Sequence, residues 1–193
     1  MIPIRLIYLG SEIPSNRTLL TRAGVTEIGV AFDGLSKRVR KETENLLANF
    51  PDDQELRIHA LPGLAPDKQH ELSEDELRAF AQEYELFLSS NIERLASWVE
   101  FDCTVLGPDW IRSRRKEFYS EFDDQLFRPI WHFDYGVREL EALSDEYPHV
   151  AIPLASVEEF TALPGLLRQY ANKYETRYHL PSATRPQTTQ ALP

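Results

Sequence analysis

The chain has 193 residues and carries 31 acidic against 21 basic side chains, a formal net charge of −10; that balance disfavours indiscriminate binding to a nucleic-acid backbone, which needs a net basic footprint, and leaves only a local basic patch open. Hydrophobic residues at 42% and charged residues at 27% are ordinary for a globular protein, and a chain this long buries roughly 70% of its unfolded surface without a disulfide or metal staple. A single cysteine, Cys103, excludes an intrachain disulfide scaffold and a cysteine-rich zinc site, while the lack of a signal-peptide pattern or a long apolar run leads us to expect a cytoplasmic protein with no membrane span.

Short apolar runs alternate with helical patterns along the chain. Residues 2–9 (IPIRLIYL) read as a strand closed by Gly10, and a short helix follows Ser15 until Gly24 stops it. Residues 25–32 (VTEIGVAF) read as a second strand. Residues 33–50 then form an amphipathic helix, with Leu35, Val39, Leu46, Leu47 and Phe50 on one side and the run KRVRK on the other. A third strand covers residues 55–61, followed by a loop bearing Pro and Gly. Ser73 and Glu76 make a capping box at the head of the longest helix, residues 74–95.

The fourth strand is expected over residues 97–105, and Pro108 opens a helix reaching Phe122. Residues 127–133 read as strand five, 137–143 as a short helix and 149–153 as strand six. A helix over 156–173 leads to a seventh strand at 176–180. The last stretch, residues 181–193, has three prolines and no acid and reads as a disordered or docked tail.

Six or seven successive β-then-α units argue for a parallel α/β sheet with helices outside, as one domain over residues 1–180. Two closures fit: an open doubly wound sheet, or a (β/α) TIM-barrel-like domain. A full eight-fold barrel takes about 250 residues, so the barrel expected here is incomplete. An open barrel edge invites pairing with another chain, which implies a homo-oligomer or a partner subunit covering the edge after strand seven.

Ligands bind beyond the carboxyl ends of the strands in both closures. Those ends carry Gly10, Ser11 and Glu12; Asp33 and Gly34; His59 and then Pro62-Gly63; Asp102 and Cys103; His132, Asp134, Tyr135 and Gly136; Pro153; and His179 and Thr184. Asp102 stands inside the apolar run VEFDCTVL, where a carboxylate is costly to bury unless paired. A ligand-binding group or base is favoured there over a helix cap or a solvated acid. His132 and Asp134 share one side of an extended chain, as an acid–base pair, a metal pair, or a packed histidine beside a helix-capping aspartate. For Asp134 the cap is preferred; for His132 the choice stays open.

His59, Asp102, His132 and His179 could converge as a metal hydrolase site, but no H-x-H or H-E-x-x-H pair occurs, so neither metal nor cofactor is expected. No G-x-S-x-G, P-loop or G-x-G-x-x-G segment is present, which argues against a nucleophilic-elbow serine, a P-loop NTPase and a standard dinucleotide fold. The basic run 37–41 and the cluster Arg112, Arg114, Arg115 and Lys116 could touch phosphates, although solvated helix faces are the commoner reading.

Taken together, YLGSEIPSNRTLLTRAGVTEIGVAFDGLSKR, VEFDCTVLG, PIWHFDYGVRELEAL with HVAIPL, and RYHLPSATRP resemble the tRNA-guanine transglycosylase superfamily. The similarity is to its shorter, phage-associated branch of queuine tRNA-ribosyltransferase-like or deazapurine-DNA transglycosylase proteins. The resemblance implies a (β/α) barrel, a transferase of 7-deazaguanine nucleic-acid modification, and binding of a guanine-like base or nucleic acid. It implies that Asp102 reads the Watson–Crick edge of the base and that His132, Tyr135, Gly136, Ser11 and Glu12 line the pocket. The family works through a covalent sugar intermediate on an aspartate. Where it carries an Asp-Ser-Gly-x-Phe segment, this chain reads HALPGL with His59 and no acid, and the strand bearing the nucleophilic aspartate has no counterpart before residue 193. A non-catalytic binding or assembly protein, or one part of a split transglycosylase, is therefore the alternative reading.

Overall fold

Hydrophobic periodicity and end signals set the elements of this chain. The computed structural model describes residues 8–9, 14–32, 37–48, 57–123, 125–153 and 157–179. In chain order they form β1 (Tyr8–Leu9), α1 (Pro14–Arg22), β2 (Glu27–Ala31), α2 (Lys37–Ala48), β3 (Arg57–Leu61), α3 (Pro66–Gln69), α4 (Glu74–Asn91), β4 (Ser97–Val99), α5 (Pro108–Glu117), β5 (Phe127–Arg128), α6 (Gly136–Glu146), β6 (His149–Ala151), α7 (Val157–Tyr174) and β7 (Arg177–His179). Residues 2–7 of the expected first strand, and the tail at 181–193, lie outside the described residues.

Local chemistry explains the boundaries. Ser73 Oγ accepts from the Glu76 amide at 3.4 Å and the Glu76 carboxylate accepts from the Ser73 amide at 2.8 Å, the reciprocal box the sequence predicts. The Pro- and Gly-bearing loop after β3 holds one element the sequence reading lacks, the single turn α3. Strand five is shorter than expected. Pro129 has no amide to donate, and the chain enters a 3-10 turn at Phe133–Tyr135. Strand four also stops early, at Val99, and residues 104–106 form a turn ahead of α5.

The chain divides into two compact units, residues 1–128 and 129–193. In the first, five parallel strands pair in chain order, β1-β2-β3-β4-β5. A doubly wound sheet reverses direction at a switch point; this run has no reversal. Register and the two-residue alternation divide the sheet into two unlike faces. Ile28, Val30, Ile58, Ala60, Trp98 and Phe127 share the apolar face, in which Val30, Ala60, Trp98 and Phe127 form one cross-strand row. Phe32, just past β2, meets Phe80, Tyr84 and Phe87 of α4 at 5.1–5.6 Å between ring centroids, and Tyr119 stacks on Phe127 at 4.7 Å. Each such pair adds about 0.5–1.5 kcal/mol beyond area burial. The opposite face carries Glu27, Gly29, Arg57, His59, Ser97 and Arg128.

In the second unit β6 and β7 pair in parallel, and Ile130 bridges to Ala151, also in parallel. Trp131, Leu140, Leu143, Val150, Ile152, Leu163 and Tyr170 make its core. The molecule is thus α/β with parallel strands; among the described residues five strands pair in one sheet and two in another.

Candidate functional site

On the polar face, pairing of β2, β3 and β4 sets Gly29, His59 and Ser97 in one row. Gly29 has no side chain, so the His59 ring reaches Glu27, two residues back on the same face. His59 Nδ1 lies 2.6 Å from Ser97 Oγ, and Nε2 lies 2.6 Å from Glu27 Oε2. Burial, helped by the Arg128 charge, lowers the His59 pKa from 6.5 to about 4 against the pull of Glu27. The ring is therefore neutral near pH 7. A carboxylate can only accept, so Nε2–H donates to Glu27 and Nδ1 accepts from the Ser97 hydroxyl. Glu27, His59 and Ser97 have the connectivity of a hydrolytic triad. Ser97, however, is 0% exposed, which leaves an ester no approach to its oxygen.

Arg128 enters the same network from β5. One of its terminal nitrogens lies 3.4 Å from His59 Nδ1, and its Nε has no hydrogen-bond partner among the described residues. The side chain is buried, and burial lowers its pKa to about 10. Arg57 approaches Glu27 at 3.5 Å and is half exposed. None of Glu27, Ser97 and Arg128 emerged from the sequence reading. The signal available was parity: a charged residue at the β5 position in phase with His59 and Ser97.

Asp102 stands three residues beyond the carboxyl end of β4, half-buried. Its main chain is fixed, since the Gln69 amide nitrogen donates to the Asp102 carbonyl at 2.9 Å. Gln69, on α3, is itself buried at 3% exposure. Between β3 and α3, Gly63 adopts φ +83°, and a Cβ there would come within 3.0 Å of the Ala31 Cβ and 3.1 Å of the Phe32 carbonyl. The ends of β2, β3 and β4 are thereby packed into one ledge carrying Asp102. Neighbouring Cys103 is buried, and burial raises its thiol pKa, so it is no nucleophile.

His132, Tyr135 and Gly136 lie together in the second unit. The rings of His132 and Tyr135 meet edge-on at 5.1 Å, and Trp131 Nε1 donates to the Gly136 carbonyl at 2.9 Å. Asp134 is exposed and does not cap α6: Tyr135 is the N-cap residue and makes no side-chain cap bond. His179 is engaged by His149, 3.1 Å between ring nitrogens. Among the described residues no group of three or more His, Cys, Asp or Glu could hold a metal ion. Gly10, Ser11, Glu12, Asp33, Gly34 and Thr184 lie outside the described residues.

The arginines of the basic runs are taken up by carboxylates of the same chain, while Lys37, Lys41 and Lys116 are exposed. Arg38 pairs with Glu42, and Arg40 with Glu44 and Glu83. Arg112 pairs with Asp109, and Arg114 with Glu85 and Glu117. Arg115 holds Glu100 bidentately at 2.8 and 2.6 Å in the core. No helix among the described residues is long and apolar enough to cross a membrane. Compared with known proteins, the chain matches no family model, no curated protein and no solved structure.

Proposed function

We propose that the chain binds a guanine-like base in the manner of a 7-deazaguanine transglycosylase, with Asp102 as the carboxylate that accepts the N–H donors of the base edge. The observation that carries this reading is the ledge at the strand carboxyl ends, where the Gln69 amide pins the main chain of Asp102 at 2.9 Å. A carboxylate on an immobilised backbone loses little freedom on binding, which favours recognition. Parallel neighbours in chain order within each unit are also what a (β/α) barrel uses, and the barrel reading, with a partner or second copy along its open edge, belongs to this proposal.

A second reading is favoured by one observation. Both ring nitrogens of His59, which by the resemblance would stand where the family carries its second catalytic acid, are committed to Ser97 and Glu27. That supports binding without base exchange. The test is a thermal-shift titration of wild type and Asp102→Ala with guanine, 7-deazaguanine and its cyano and aminomethyl derivatives. At 100 times the dissociation constant a ligand stabilises by about 2.7 kcal/mol. The wild type should shift and the variant should not; no shift with any base would sink the reading. A labelled-guanine exchange assay on RNA and DNA then separates turnover from binding alone.

A further inference from the structure

Among the described residues Arg128 is a buried cation with no carboxylate of its own in hydrogen-bond reach, and the carboxylate that acts on it, Glu27, is shared with His59 and Arg57. The residue is 6% exposed, its Nε has no hydrogen-bond partner among the described residues, and the side-chain hydrogen bond it makes there is a long 3.4 Å approach to a histidine nitrogen. Guanidinium groups in protein interiors are otherwise held by carboxylates, as Glu100 holds Arg115 in this same unit. The carboxylate on this face is already engaged: Glu27 accepts from His59 at 2.6 Å and faces Arg57 at 3.5 Å. With the imidazole neutral, two guanidiniums stand against one carboxylate among the described residues of this face, which leaves one positive charge over there. Arg57, half exposed at the amino end of β3, connects this network to solvent.

We propose that the polar face of the sheet is a binding site for a phosphate-type oxyanion, with Arg128 as its buried donor and Arg57 as the cation at its rim. The guanidinium presents a planar fork of donors that fits a phosphate or carboxylate bidentately. Phosphate is favoured over carboxylate because the donors come from two directions, β5 and β3, and a tetrahedral anion can accept from both. Its source can be free phosphate or the phosphate of a nucleotide. The inference uses none of the residues of the base-binding reading, and inorganic phosphate carries no base, so the two fail separately.

The test uses the full chain. Wild type, Arg128→Met and Arg57→Gln are titrated with inorganic phosphate, with a nucleoside monophosphate and with acetate at constant ionic strength. Melting temperature and the ¹⁵N shifts of the His59 ring are followed. Phosphate should raise the melting temperature saturably and move the His59 ring signals. Arg128→Met should abolish both responses, and Arg57→Gln should weaken affinity roughly tenfold. If the nucleotide binds more tightly than phosphate, it is the source; if equally, free phosphate suffices. Without anion, Arg128→Met should melt at or above the wild-type temperature, because it removes an uncompensated buried charge. A wild type that does not respond to phosphate, a response unchanged in Arg128→Met, or saturation by acetate alone would each overturn the proposal. Should Arg128→Met not fold, an Arg57→Gln chain with unaltered phosphate affinity does the same.

Discussion

His59 shows how a single residue takes its chemistry from its neighbours. An imidazole beside a carboxylate ordinarily gains basicity; here burial and the Arg128 charge outweigh Glu27 and depress it from 6.5 to about 4. The sign follows. Above 6.5 the ring is neutral folded and unfolded, and the full contribution to stability is present. As the pH falls from 6.5 through about 4, the unfolded chain takes up a proton that the folded chain refuses, and that contribution is lost. A shift of this size corresponds to about 3 kcal/mol. Urea unfolding of wild type and His59→Gln across this interval should show the variant with the shallower acid slope. Equal slopes would mean that His59 does not titrate as described. In the Arg128→Met chain the His59 pKa should move upward, since the guanidinium is the second cause of its depression.

At the scale of elements, the β3–α3 connection is the piece on which the Asp102 ledge depends. Gly63 is fixed there both by its backbone angle, φ +83°, and by the Ala31 and Phe32 atoms that a Cβ would crowd. Gly63→Ala should therefore destabilise by about 1–3 kcal/mol and should weaken base binding through Asp102, although residue 63 touches no ligand. A thermal melt and the same base titration check both effects. Most elements were legible beforehand, because strands and helices here are written in clear periods, and Ser73 with Glu76 and Pro108 mark helix starts openly. The one-turn α3 was not, since four residues between prolines and glycines carry no period to read. The polar network was not legible either. Glu27, His59, Ser97 and Arg128 are 32 to 69 residues apart in the hydrogen bonds that join them, and only the strand register brings them into line. His59 was visible as a strand residue of interest, but the sequence assigned it to a ligand mouth, whereas its partners hold it in the buried interior of the face.

Charge decides the behaviour of the whole molecule toward nucleic acid. A net −10 chain repels a polyanion at long range. Its basic runs offer little compensation, because the arginines at 38, 40, 112, 114 and 115 all answer carboxylates of the same chain. Non-specific binding to duplex DNA comes from phosphates neutralised by unpaired cations, with a salt slope set by their number. The paired arginines are withdrawn from that role and the net charge opposes approach, so fluorescence anisotropy with an unmodified duplex should give no retained binding at physiological ionic strength and only a shallow salt slope below it. A base-binding or single-phosphate function is compatible with that result, since each needs one buried contact rather than a track of them. Tight binding with a steep salt slope would instead mean that the exposed cations outside these ion pairs, such as Lys37, Lys41 and Lys116, form a basic surface, and recognition of the nucleic-acid backbone would then precede recognition of the base.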